Sequence, residues 1–140
     1  MNILLAVDGS VFTKKMLAYL ATHEELFRAS NSYTVLTVQP QIPSRARAAL
    51  GKAVVDGYYA DESDKVLGPT CKFLERHGIT AKSAWKVGHI GETIAKFAES
   101  GRYDLLIMGS HGHGTLGNLV MGSVATAVLA HCTVPVLLVR

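Results

Sequence analysis

At 140 residues and about half apolar, the chain can bury a core without disulfide or metal staples, which excludes both a disordered tail and a small cross-linked scaffold. The 14 Lys and Arg barely outnumber the 11 Asp and Glu and are scattered, apart from Lys14-Lys15 and Arg45/Arg47. That argues against a nucleic-acid surface, and no apolar run is long enough to span a membrane.

Cys71 and Cys132 fit neither a metal spacing nor a disulfide framework and read as reduced thiols. The opening MNILLAVDGS has no signal-peptide character, so a cytoplasmic protein is expected, with one domain over residues 1–140.

Asn2 to Val7 is a continuous apolar run ending in Asp8-Gly9-Ser10, as a strand covered on both faces would be. Ser10 is a suitable N-cap for a helix carrying Phe12, Met16, Leu17, Leu20 and Phe27, which Ser30-Asn31-Ser32 ends. Tyr33 to Val38 is a second strand, rich in β-branched residues. Pro40 and Pro43 mark a loop, and residues 46–59 read as a mobile connection with room for a short helix. A second helix is expected over Asp61–His77, stopped by Gly78 and kinked or delayed by Gly68-Pro69.

Thr80 to Val87 is a third and more polar strand, expected at a sheet edge, with Trp85 packed. Gly91 to Ser100 is a helix that Gly101 stops. Asp104 to Met108 is a fourth strand, Ser123 to His131 a fourth helix with the inert Cys132 near its end, and Pro135 to Val139 a fifth strand. Alternating strands and helices predict an α/β fold with a parallel sheet.

Five glycines, Gly109, Gly112, Gly114, Gly117 and Gly122, lie between the fourth strand and the helix that Ser123 opens. Glycine tolerates positive φ and close backbone approach, and a helix N-terminus attracts anions, so this loop is a candidate phosphate holder. Ligands of open α/β sheets bind beyond the carboxyl ends of the strands where the strand order reverses. If the first and fourth strands are neighbours, Asp8 and the loop share one crevice, and Asp8 is its carboxylate.

Gly112-x-Gly114-x-x-Gly117 matches the dinucleotide fingerprint as a string, but no Asp or Glu follows Asp104, so an NAD site is set aside. No lysine follows as in a P-loop. Gly88-His89-Ile90-Gly91 is like a nucleotidyl-transferase signature at the wrong position and is set aside too. His111 and His113 have no third partner for a zinc site and are loop residues. Lys14 and Lys15 are a solvated helix face.

Gly109, Gly112, Gly122 and Ser123 fit the spacing Gly, two residues, Gly, nine residues, Gly, Ser or Thr. With ILLAVDGS, VGHIGETI, YDLLIMGSHG, GSVA and PVLLVR in order along nearly the whole chain, the sequence resembles the ATP-binding universal stress proteins. The resemblance implies an αβα sandwich on a five-stranded parallel sheet of order 3-2-1-4-5, a Rossmann-like, adenine nucleotide alpha hydrolase-like fold. It implies ATP, or ADP or AMP, bound with Mg²⁺ or Mn²⁺ through Asp8, Val38, Gly109, His111, Gly112, Gly122, Ser123 and Val124. Ala6, Ser10, Met108 and His113 complete that candidate set. It also implies a homodimer through the last strand, with Val134, Val136 and Leu138 at the interface. That agrees with the need to cover an apolar edge.

Between Tyr103 and Val139 there is no Lys or Arg, so phosphate charge has to be met by backbone N–H groups, Ser123 and a metal. With Asp8 the sole carboxylate candidate and no catalytic residue assigned, a stress-response or signalling nucleotide binder is expected. A slow ATPase or phosphotransfer enzyme, and a dimerisation module that does not use nucleotide, are the alternatives.

Overall fold

The computed structural model describes residues 1–113 and 120–140. Along the chain run β1 (Asn2–Ala6), α1 (Val11–Thr22), β2 (Ser32–Gln39), α2 (Ser44–Leu50), α3 (Lys52–Arg76) and β3 (Ala81–Val87). Then follow α4 (Ile90–Ser100), β4 (Leu105–Gly109), α5 (Ser123–His131) and β5 (Val136–Val139). The strands form one parallel sheet in the order β3-β2-β1-β4-β5. This is the expected order, and it makes β1 and β4 neighbours, with Ala6 opposite Met108.

Period-two alternation explains why β1 is apolar at every position from Ile3 onward. Ile3, Leu5 and Val7 enter a core with Met16, Leu17 and Leu20 of α1 and Leu67 and Leu74 of α3. Leu4 and Ala6 enter a second core with Ile94 and Ala98 of α4 and Ala125 and Val128 of α5. The sheet is thus covered by helices on both faces, and each fully buried leucine contributes about 1.5–3 kcal/mol. β5 continues the alternation, with Leu137 and Val139 against the first core and Val136 and Leu138 against the second.

Several local expectations change. α1 ends at Thr22 rather than reaching Phe27. Phe27 is nonetheless buried and sits edge-on to Tyr19, because a turn in which its N–H bonds the His23 carbonyl returns it to the core. The mobile connection is replaced by two helices. α3 begins at Lys52 rather than Asp61 and runs for 25 residues with Pro69 inside it. Its buried positions are Val55, Tyr59, Ser63, Leu67, Thr70 and Leu74, a helical spacing in which two members are polar. Counting apolar residues alone therefore shortens the helix.

Gly51 divides α2 from α3 with φ 83°, a conformation that Cβ-bearing residues rarely adopt. Its N–H closes α2 on the Arg47 carbonyl, and its own carbonyl accepts from Val55 to start α3. β3 is an edge strand as expected, but Trp85 is 38% exposed and lies outside both buried cores. Cys132 is the half-buried residue that caps α5, and it packs against the second core. Burial raises both thiols above the ordinary cysteine value, which disfavours the reactive thiolate.

α4 and α5 approach closely at Gly91, where an added Cβ would lie 2.4 Å from Ala127 Cβ and 3.1 Å from the Val124 carbonyl oxygen. Gly91→Ala is therefore expected to cost about 1–3 kcal/mol through overpacking, exceeding its gain in helix propensity. Urea denaturation measures this, and an unchanged or higher midpoint would refute such close packing.

Candidate functional site

The carboxyl ends of β1 and β4 open onto a cavity of about 530 Å³, within the roughly 300–1,000 Å³ range of small-molecule sites. It lies where the strand order reverses, with β2 on one side of β1 and β4 on the other. Of the candidate residues, Ala6, Asp8, Val38, Met108, Gly109, His111, Gly112, His113, Gly122, Ser123 and Val124 all line it. Ser10 does not. Its side chain is turned to α1, where Oγ accepts from Thr13 N at 3.4 Å as the N-cap. Gly114 and Gly117, and with them the fingerprint-like string, lie outside the described residues.

Asp8 is held by the turn that follows it. Oδ1 accepts from Ser10 N at 2.9 Å and from Thr13 Oγ1 at 3.0 Å, while Asp8 N donates to Thr13 Oγ1 at 3.1 Å. Oδ2 faces Gly112, where an added Cβ would lie 2.7 Å away. The Asp8 carbonyl lies 2.7 Å from His113 Nε2, and a carbonyl only accepts, so Nε2 carries the proton. His111 lies against Phe12, ring centroids 4.8 Å apart, with Nδ1 2.8 Å from Ser110 Oγ.

Of the two freedoms expected of the loop glycines, Gly109, Gly112 and Gly122 use close approach and not positive φ. Positive φ occurs at Gly9, Gly51, Gly78 and Gly88, but not at Gly109, Gly112 or Gly122. What these three need is room. A Cβ on Gly109 would meet Phe12 Cβ at 2.6 Å, and one on Gly122 would meet His111 Cα at 3.1 Å. The missing side chains bring the segment after β4 against α1 and the end of β1. Gly122 N then donates to the Ser110 carbonyl at 2.8 Å, which ties the start of α5 back to the end of β4.

Gly122 caps α5 with extended backbone, and its carbonyl accepts from Thr126 N, so the helical ladder begins there. The N–H groups of Ser123, Val124 and Ala125 precede that first bond and belong to cavity-lining residues. They offer an anion a cluster of donors at the positive end of the helix.

Other wall residues had no local signature in the sequence. Thr37, Gln39 and Pro40 extend the Val38 side, and Ile90 and Ile94 supply apolar wall from α4. The rule that ligands meet strand ends could have found the β2 residues. Glu62, Lys65 and Val66 come from α3, about 45 residues before the glycine loop. Lys65 Nζ pairs with Glu62 Oε1 at 2.8 Å, and that bond holds the ammonium above the ordinary lysine value. The site therefore has a cation that the loop lacks, and Asp8 is not its sole carboxylate. With neutral imidazoles, Asp8 and Glu62 outweigh Lys65. Among the described residues there is no cluster of three or more His, Cys, Asp or Glu.

A model of the universal stress protein family matches residues 1–140. Universal stress protein Slr1230 of Synechocystis sp. is 33% identical over 139 residues, covering 99% of this chain and 42% of that protein. The chain thus spans less than half the length of that relative. A universal stress protein of Thermus aquaticus is 29% identical over 140 residues, 99% of this chain and 98% of its own length.

Among solved structures, MJ0577 of Methanocaldococcus jannaschii aligns with a TM-score of 0.82 at 26% identity, over 99% of this chain and 94% of that one. An Archaeoglobus fulgidus universal stress protein in complex with dAMP aligns at 0.68 and 19% identity, over 100% and 98%. An Arabidopsis thaliana family protein with AMP bound aligns at 0.68 and 17%, over 99% and 91%. At the identities of the last two, the likeness is one of fold.

The bonds of Asp8 give it a structural role that needs no ligand. Asp8→Ala removes the acceptor for Ser10 N and the buried Thr13 hydroxyl and is expected to cost about 1–3 kcal/mol. Asp8→Asn retains an acceptor oxygen and should cost less. Chemical denaturation without ligand compares the two, and equal stability of all three proteins would refute the role.

Proposed function

Because the chain belongs to the universal stress protein family, we propose that it is a nucleotide-binding protein of the stress response, holding ATP, ADP or AMP in the cavity between β1, β2 and α5. The observation that carries this reading is the convergence of Asp8, the close-packed glycines and the first amides of α5 on one cavity at the β1/β4 switch point. Family relatives of the same fold solved with dAMP and AMP support the ligand class. In this reading the base lies along Val38 and Pro40, Asp8 accepts from a ribose hydroxyl, and the phosphates meet the amides of Ser123, Val124 and Ala125 with the Ser123 hydroxyl.

The charge of the lining sets the metal requirement. Asp8 and Glu62 outweigh Lys65, so a triphosphate enters a site with no net positive charge from side chains. Mg²⁺ or Mn²⁺ fits such a site by neutralising phosphate oxygens, with Asp8 and Glu62 as the nearby carboxylates. A monophosphate needs this neutralisation less. A homodimer in the cytoplasm, joined through the exposed edge of β5 beside Val134, Val136 and Leu138, completes the proposal. Binding alone satisfies this reading, and no turnover is invoked.

Calorimetric titration tests the site. Mg²⁺ is expected to raise ATP affinity at least about tenfold over EDTA while changing AMP affinity less, and Gly122→Val, which drives a side chain against His111, should abolish both. Normal binding by that variant would remove the loop from the site, and metal-independent ATP affinity would remove the metal. Light scattering tests the assembly. The expected mass is twice the 15.0 kDa of one chain, and a mass of 15.0 kDa across the concentration range would exclude the dimer.

A further inference from the structure

A second cavity, of about 420 Å³, lies on the other side of the segment that follows β2, between α2, the first turns of α3 and the end of β3. Its lining includes Arg47, Lys52, Val55, Asp56, Tyr59 and Val87. Arg47 comes from the last turn of α2 and Lys52 from the first turn of α3, and the left-handed turn at Gly51 brings these two cations to one wall. Among the described residues neither is ion-paired with Asp56. Arg47 Nε is buried with no hydrogen-bond partner among them. A buried guanidinium N–H without an acceptor is costly, and an anion is the acceptor that bonds it most strongly.

Apart from Gln41 at one edge, the rest of the wall is apolar. Val55 and Tyr59 are buried, and the Tyr59 hydroxyl accepts from Ile42 N at 2.9 Å. Val87 closes the side formed by β3. Two cations against one carboxylate, set on an apolar floor, suit a ligand with a charged head and a small apolar body.

We propose that this cavity binds a small organic anion, a carboxylate or phosphate ester on an apolar body, through Arg47 and Lys52. The site shares no lining residue with the nucleotide cavity, so it stands or falls independently of the proposed function.

The probes are phenyl phosphate, benzoate and the neutral benzyl alcohol, titrated into ¹⁵N-labelled protein and followed by NMR at backbone amides and at arginine Nε–H. At least one anion should shift Arg47 Nε–H and the amides of Lys52, Val55 and Val87, and benzyl alcohol should not. Which anion binds identifies the head group. Arg47→Gln combined with Lys52→Gln should weaken binding at least about tenfold. The fold should survive, because α2 buries no residue and Lys52, in the first turn of α3, is exposed. Gly122→Val should leave this binding unchanged. The proposal is overturned if neither anion shifts these signals, if benzyl alcohol binds as tightly, if the double variant binds like the parent, or if Gly122→Val removes the binding.

Discussion

The site depends on how closely the chain leaving β4 approaches the end of β1. Gly109 fits against Phe12 and Gly112 against the Asp8 carboxylate at distances that leave no room for Cβ, and Gly122 fits tightly against the backbone at His111. The Ser110 carbonyl then anchors Gly122 N, so α5 starts beside the strand ends with its first amides among the cavity-lining residues. Proteins use glycine where backbones must nearly touch, and here the partners touched are the protein's own. The motif is thus a packing device first, and the donor cluster at α5 is its consequence.

The electrostatics of the cavity follow from which elements reach it. The loop and α5 contribute no cationic side chain, only partial charges on N–H groups. α3 adds Lys65, but Glu62 binds that ammonium and brings a second carboxylate. Oriented amides act at short range and cost no counter-charge, whereas the side chains sum to slight negativity with neutral imidazoles. Such a wall can hold a phosphate against the helix start and leaves the remaining phosphate charge to a cation from solution.

α3 connects more of the molecule than its place at one face suggests. Tyr59 anchors the residues after β2 through Ile42 and lines the second cavity, while Glu62, Lys65 and Val66, about one to two turns further on, line the first. The Gln39–Gln41 segment runs between the two cavities, with Gln39 and Pro40 on one and Gln41 on the other. Both cavities are therefore built partly from one helix and one short stretch of chain.

By itself the sequence determined the parallel sheet, through unbroken apolar runs such as Ile3 to Val7, and half of the cavity wall, through strand-end and helix-start residues and the family resemblance they carry. Burial on both faces and the missing Cβ atoms are local properties that composition records directly. Tertiary structure alone decided that α3 begins at Lys52, since polar Ser63 and Thr70 hold core positions that only packing reveals. It also decided that Ser10 turns to its helix instead of the cavity, and that Glu62 and Lys65 join Asp8 across about 55 residues of chain. Such long-range pairings leave no trace in local periodicity, because they depend on where a helix crosses the sheet and not on the residues beside it.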